Sequence, residues 1–174
     1  MTLANKITVL RIIAIPFFVI ALIEDYLLTA QILFVLSVFS DALDGAIARM
    51  RGERTPLGTF LDPMADKLLL ISAFITLTCL GRLPLWVFVA VLSRDVLILM
   101  GWLLVYLLTN NRKIEPRPLG KITTVLQMGF LMGALFSIPA LYYHALLDVM
   151  IAATILSTFD YIWIGNQRLG AIEP

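Results

Sequence analysis

The chain has 174 residues, of which 60% are hydrophobic and 14% charged, and its mean hydropathy is +0.95. A soluble globule of this size has too little interior to hide so much apolar surface, so the composition excludes one and implies an all-α polytopic integral membrane protein, a single domain over residues 1–174. The net charge of +1 singles out no charged partner, nucleic acid is not expected, and Cys79 in its apolar run reads as a small buried hydrophobe with no internal disulfide.

Lys6 and Arg11 stand ahead of an apolar run, as in a secretory signal, but no small-residue cleavage site follows and further spans do. This is expected to be a retained first helix. Asn5, Thr8 and Arg11 recur every three residues, which predicts a short N-terminal interfacial helix that Pro16 kinks or separates from the first span. With about twenty apolar residues needed per span, six transmembrane helices are predicted, near 7–23, 26–48, 57–80, 85–108, 119–138 and 141–164. Placing the N-terminus in the cytoplasm collects Lys6, Arg11, Arg49, Arg51, Arg54, Arg112, Lys113, Arg117, Lys121 and Arg168 on that side and leaves only Arg82 outside. Both termini are therefore expected in the cytoplasm.

The stretch 41–66 reads DALDGAIARMRGERTPLGTFLDPMAD, and it sets four aspartates into or beside apolar spans. An ionisable group at membrane depth is costly unless it faces a partner or a wet cavity. At about 100° per residue, Asp41, Asp44 and Ala48 share one helix face with Gly45 and Arg49 on its flank, and Gly58, Asp62 and Asp66 line a second helix. An antiparallel hairpin of the two would bring the four carboxylates together near one membrane surface. Close carboxylates repel, and hard divalent ions such as Mg²⁺, Mn²⁺ or Ca²⁺ relieve that repulsion. Gly45, Ala48 and Gly58 would admit a flat or phosphorylated ligand to the backbone, or would serve ordinary close helix packing.

The fourth span carries Arg94 beside Asp95. Pairing neutralises them, which makes a clamp between helices the minimal explanation; the alternative is that Arg94 reaches a cavity and holds a substrate. In the connection that follows, Arg112 and Lys113 fit the positive-inside bias, whereas Arg117 and Lys121 adjoin the start of the fifth span and suit a phosphate. His144, Asp148 and Asp160 of the sixth span are read as structural.

Asp41-x-x-Asp44-Gly45-x-x-Ala48-Arg49, eight further residues, then Gly58-x-x-x-Asp62-x-x-x-Asp66 resembles the signature of the CDP-alcohol phosphotransferases, with every position filled. The resemblance implies a six-helix membrane enzyme that moves a substituted phosphate from a CDP-linked donor to an alcohol and releases CMP. It also implies that Asp41, Asp44, Asp62 and Asp66 bind divalent metal, Mg²⁺ or Mn²⁺ and two ions, with Asp66 the general base. Gly45, Ala48, Arg49 and Gly58 would accommodate the CDP moiety. The N-x-x-T-x-x-R pattern is similar to the segment before the first span in phosphatidyl-transferring members, which implies that Asn5 and Arg11 border the nucleotide. Arg94, Arg117 and Lys121 are the expected acceptor-binding cations.

Gly120-Lys121-Ile122-Thr123-Thr124 with Gln127 resembles the fifth-span motif of phosphatidylglycerophosphate synthases. Thr123 stands where that pattern usually has a second lysine. The expected reaction transfers a phosphatidyl group from CDP-diacylglycerol to glycerol 3-phosphate; phosphatidylglycerol as acceptor, giving cardiolipin, is the alternative. A divalent-cation transporter would also use intramembrane acids, but its acids should continue across the membrane. No serine or cysteine is paired with a base, so a covalent intermediate is not expected. The expected setting is a bacterial inner membrane with membrane lipids as partners, and the resemblance makes a homodimer an option.

Overall fold

The computed structural model describes the backbone of residues 3–51, 56–109 and 118–170, and the side chains of 6–40, 58, 61–101 and 118–164. Among the described residues there are six helices and no strand: α1 Leu3–Ile23, α2 Leu27–Arg51, α3 Pro56–Cys79, α4 Leu85–Thr109, α5 Pro118–Leu135 and α6 Ala140–Gly170. The predicted all-α class holds. Among the described residues two stretches are long and apolar enough to cross a membrane, Lys6–Ile23 and Ala140–Ile164, and Leu27–Ser40 is a shorter apolar one.

Local chemistry explains the boundaries. Pro56 and Pro118 open α3 and α5, where a missing N–H is harmless because the first turn has no intrahelical acceptor for it. α1 ends in a left-handed cap at Asp25 (φ 59°), with the Tyr26 amide on the Ala21 carbonyl at 2.8 Å and the Asp25 amide on Leu22 at 3.3 Å. α3 ends the same way at Gly81 (φ 71°), with the Arg82 amide on Leu77 at 2.9 Å and the Gly81 amide on Thr78 at 3.0 Å. Arg82 and Asp25 then join the two turns by an exposed ion pair of 2.6 Å.

Of the two outcomes expected at Pro16, separation of an interfacial helix from the first span is corrected: α1 runs unbroken from Leu3 to Ile23 with Pro16 inside it. A proline within a helix costs about 3 kcal/mol through its lost hydrogen bond and ring clash. Here α1 packs along both α2 and α3. Thr8 and Arg11 before Pro16, and Phe18 and Leu22 after it, are all buried, so contacts on both sides hold the helix continuous. Cys79 is likewise not buried, because it ends α3 on an exposed side.

The chain divides into two compact units, one of Met1–Leu83 with Leu131–Ser137 and one of Pro84–Phe130 with Ile138–Pro174. In the first, Phe18 and Phe34 meet at 5.8 Å between α1 and α2, above a core of Ala30, Leu69, Leu70, Phe74 and Leu77. The Gln31 amide donates to the Leu135 carbonyl at 2.9 Å and ties in the end of α5. In the second, α4 packs on α6. There Phe130 of α5 meets Tyr143 of α6 at 5.3 Å, and the buried Thr123 hydroxyl lies 3.2 Å from the Ala153 carbonyl.

The distribution of polarity is inverted relative to a soluble bundle. Leu10, Ile13, Phe17 and Ile20 of α1 and Leu28, Ile32, Leu36 and Phe39 of α2 are exposed, while Thr8, Arg11, Arg94, Gln127 and Ser157 are buried. Water would not select such an arrangement, whereas lipid solvates the apolar exterior and drives polar groups to pair inside.

Candidate functional site

In the first unit the site is built where α1 and α3 run side by side. Thr8 and Arg11 lie one turn apart on α1, and Asp62 and Asp66 lie one turn apart on α3. The Thr8 hydroxyl donates to Asp62 Oδ1 at 2.7 Å, and Arg11 donates through NH1 to Asp66 Oδ1 at 3.1 Å. Residue number rises together along both helices, so they run parallel and the two contacts share one register.

Arg11 also reaches α2, where its Nε lies 3.3 Å from the Ser40 hydroxyl. The Ser40 hydroxyl in turn donates to the Ser37 carbonyl at 2.9 Å. The Arg11 side chain is 1% exposed and that of Asp66 24%. Its charge is therefore matched by a carboxylate that still reaches the surface. The Thr8 hydroxyl engages one oxygen of Asp62, and the carboxylate is half-buried. Gly58, one turn before Asp62, is buried.

Asp41, Asp44, Gly45, Ala48 and Arg49 belong to α2, but their side chains lie outside the described residues, as does that of Asn5 on α1. Among the described residues no group of three or more His, Cys, Asp or Glu is placed to hold a metal. Asp62 and Asp66 are two oxygen donors on one helix face, partly open and without a soft ligand beside them, which fits a hard divalent ion with further carboxylates.

In the second unit Arg94 is 5% exposed. It donates through NH1 to Asp95 at 2.8 Å and through NH2 to the Ser157 hydroxyl of α6 at 2.8 Å. Both terminal nitrogens are thus engaged, and the geometry is that of the clamp between α4 and α6. A Cβ at Gly120 would lie 3.1 Å from the Tyr161 hydroxyl and 3.2 Å from Arg94 NH2, so a side chain at the start of α5 would press on the clamp. Lys121 is exposed, and Arg117, with Arg112 and Lys113, lies outside the described residues. An apolar groove of about 430 Å³ opens along α4 and α6, lined by Trp86, Leu97, Ile155 and Phe159 with Arg94.

Three partners were not singled out from the sequence as site residues: Ser40, Ser157 and Tyr161. The last two carried a signal, since Thr154, Ser157 and Tyr161 are polar at spacings of three and four along one face of an apolar helix.

Residues 1–159 match the family model described as CDP-alcohol phosphatidyltransferase. The chain belongs to the CDP-alcohol phosphatidyltransferase family. It is thus a membrane-embedded transferase of phospholipid biosynthesis, in a family that works with divalent metal. A Mycobacterium tuberculosis protein named "Probable phosphatidylglycerophosphate synthase" is 32% identical over 181 residues, covering 98% of this chain and 85% of that relative. The Bacillus subtilis "CDP-diacylglycerol–glycerol-3-phosphate 3-phosphatidyltransferase" is 34% identical over 141 residues, 72% of each chain. A Drosophila melanogaster "Probable cardiolipin synthase (CMP-forming)" is 32% identical over 153 residues, 77% of this chain and 48% of that relative. The family match runs through residues of both compact units.

Proposed function

We propose that this phosphatidyltransferase moves the phosphatidyl group of CDP-diacylglycerol to glycerol 3-phosphate, giving phosphatidylglycerophosphate and CMP. The observation that carries the reading is the anchoring of Asp62 and Asp66, the last two acids of the signature, by Thr8 and Arg11 across α1 and α3. Carboxylates held in place beforehand contribute to catalysis because they need not reorganise as charge develops.

Asp41, Asp44 and Asp62 are the proposed metal ligands, with Asp66 completing the set. When bound, two Mg²⁺ or Mn²⁺ ions would neutralise charge on the donor's diphosphate. Asp66 takes the proton of the acceptor's hydroxyl. The freed oxygen forms a bond to the β-phosphorus, the bond from that phosphorus to the CMP oxygen breaks, and CMP departs with the electron pair. Gly45, Ala48, Arg49 and Gly58 accommodate the CDP moiety, with Asn5 and Arg11 at its border. Arg117 and Lys121 take the acceptor's phosphate, and Arg94 supports them by fixing α4 against α6. The groove along α4 and α6 has the apolar character that acyl chains require.

The enzyme would span a bacterial inner membrane six times as one domain, with both termini and the acids on the cytoplasmic side, as a monomer or homodimer. The basic residues of the connections and the apolar exteriors of the helices support this topology.

Phosphatidylglycerol as acceptor is the second reading, favoured by Thr123. Its buried hydroxyl donates to the Leu119 carbonyl at 2.8 Å, so this position adds no cation where the phosphatidylglycerophosphate synthase pattern has one. The test is to supply purified protein with CDP-diacylglycerol and Mg²⁺ or Mn²⁺ in mixed micelles and to identify the lipid product with each acceptor. Phosphatidylglycerophosphate formed from glycerol 3-phosphate alone supports the first reading. Cardiolipin formed from phosphatidylglycerol alone replaces it with the second.

A further inference from the structure

A threonine in an apolar helix ordinarily returns its hydroxyl proton to a carbonyl of the preceding turn, because no water is present to take it. Thr123, Thr124, Thr154 and Thr158 all do this, with donor–acceptor distances of 2.8 to 3.1 Å. Thr8 does not. It is fully buried, and its hydroxyl donates to Asp62, 54 residues away on another helix. The contact at 2.7 Å engages only Oδ1. Bonding at one oxygen fixes the rotation of the carboxylate and leaves the other for a ligand.

We propose that Thr8 is a positioning residue for Asp62, holding its carboxylate in the one orientation that offers the second oxygen to a divalent cation. The inference rests on the reading of Asp62 as a metal ligand. Arg11 and Asp66 supply the register: with the next turn of α1 joined to the next turn of α3, Thr8 cannot slide along the helix away from Asp62. A branched side chain also suits the position, since β-branching restricts its rotamers and therefore the direction of the hydroxyl.

The test is Mn²⁺ binding to the purified, metal-free full chain in detergent, followed by electron paramagnetic resonance, with no substrate present. Thr8→Val keeps the shape and removes the donor, and Thr8→Ser keeps the donor. Removing a group that orients a ligand typically weakens metal affinity by about 10-fold to 100-fold, which is the loss expected for Thr8→Val, with Thr8→Ser restoring native binding. Thermal unfolding without metal checks that the variants fold, and Thr8→Ala replaces Thr8→Val with the same expectation if the latter does not. Native Mn²⁺ affinity in Thr8→Val, alongside lost affinity in Asp62→Asn, overturns the positioning role. Native affinity in Asp62→Asn itself overturns the reading of Asp62 as a ligand, and the inference with it.

Discussion

Arg11 and Arg94 are both buried arginines held against an aspartate, and they are used differently. Arg94 pairs with its own neighbour Asp95, whose side chain is 13% exposed, and its other terminal nitrogen is closed off by Ser157. Arg11 pairs with an acid of a different helix, and that acid remains 24% exposed. One ion pair is sealed and joins α4 to α6. The other holds a carboxylate from behind while leaving it accessible. Burying an arginine therefore does not mark a site by itself; the reach of its partner to solvent does.

The contrast is sharpest in a pair of substitutions. Arg11→Met should lower kcat by about 100-fold, the loss that a small misplacement of a reacting group can produce, with a lesser fall in stability because Asp66 can hydrate at the surface. Arg94→Met should do the reverse. It takes the buried guanidinium away from the part-buried Asp95 and from Ser157 and should destabilise the fold by about 3 kcal/mol, while the folded fraction keeps most of its kcat. Thermal unfolding in detergent and turnover normalised to folded protein separate the two, and equal effects of both substitutions on kcat would erase the distinction.

Gly120→Ala probes the sealed cluster more gently. The added methyl would press on the Tyr161 hydroxyl and on Arg94 NH2, which Ser157 holds in place. Overpacking costs about 1–3 kcal/mol and the helix gains about 1 kcal/mol from alanine, so a net loss of about 1 kcal/mol is expected. Tyr161→Phe in the same chain should recover part of it. The smallest effect belongs to the exposed Arg82–Asp25 pair. Asp25→Asn keeps a residue that tolerates the left-handed backbone and removes only the charge, and the change in stability should stay within about 0.5 kcal/mol.

The helices were legible because the apolar runs are long and the breaks between them carry Pro and Gly: the predicted 85–108 is observed as Leu85–Thr109, and 57–80 as Pro56–Cys79. The continuity of α1 was not legible. Pro16 is a local signal for a break, and what overrides it is packing against two helices distant in sequence. The four-residue spacing of Asp62 and Asp66 and the three-residue pattern of Asn5, Thr8 and Arg11 are plain in the sequence. That the second pattern locks onto the first is a matter of helix register, which no local spacing encodes. Arg94 shows the same limit: its pairing with Asp95 could be read from adjacency, but its bond to Ser157 spans 63 residues.

Asp66 is the residue on which the proposed chemistry depends most directly. CMP release from CDP-diacylglycerol should be measured for the native protein and for Asp66→Asn, each with Mg²⁺ or Mn²⁺ and an acceptor. A positioned general base contributes about 10²-fold to 10⁴-fold, so acceptor-dependent release in the native protein and a fall of at least about 100-fold in the variant are expected. Full activity in Asp66→Asn, or no release by the native protein with any acceptor and metal, would contradict the mechanism and turn attention to ion movement through the acidic cluster.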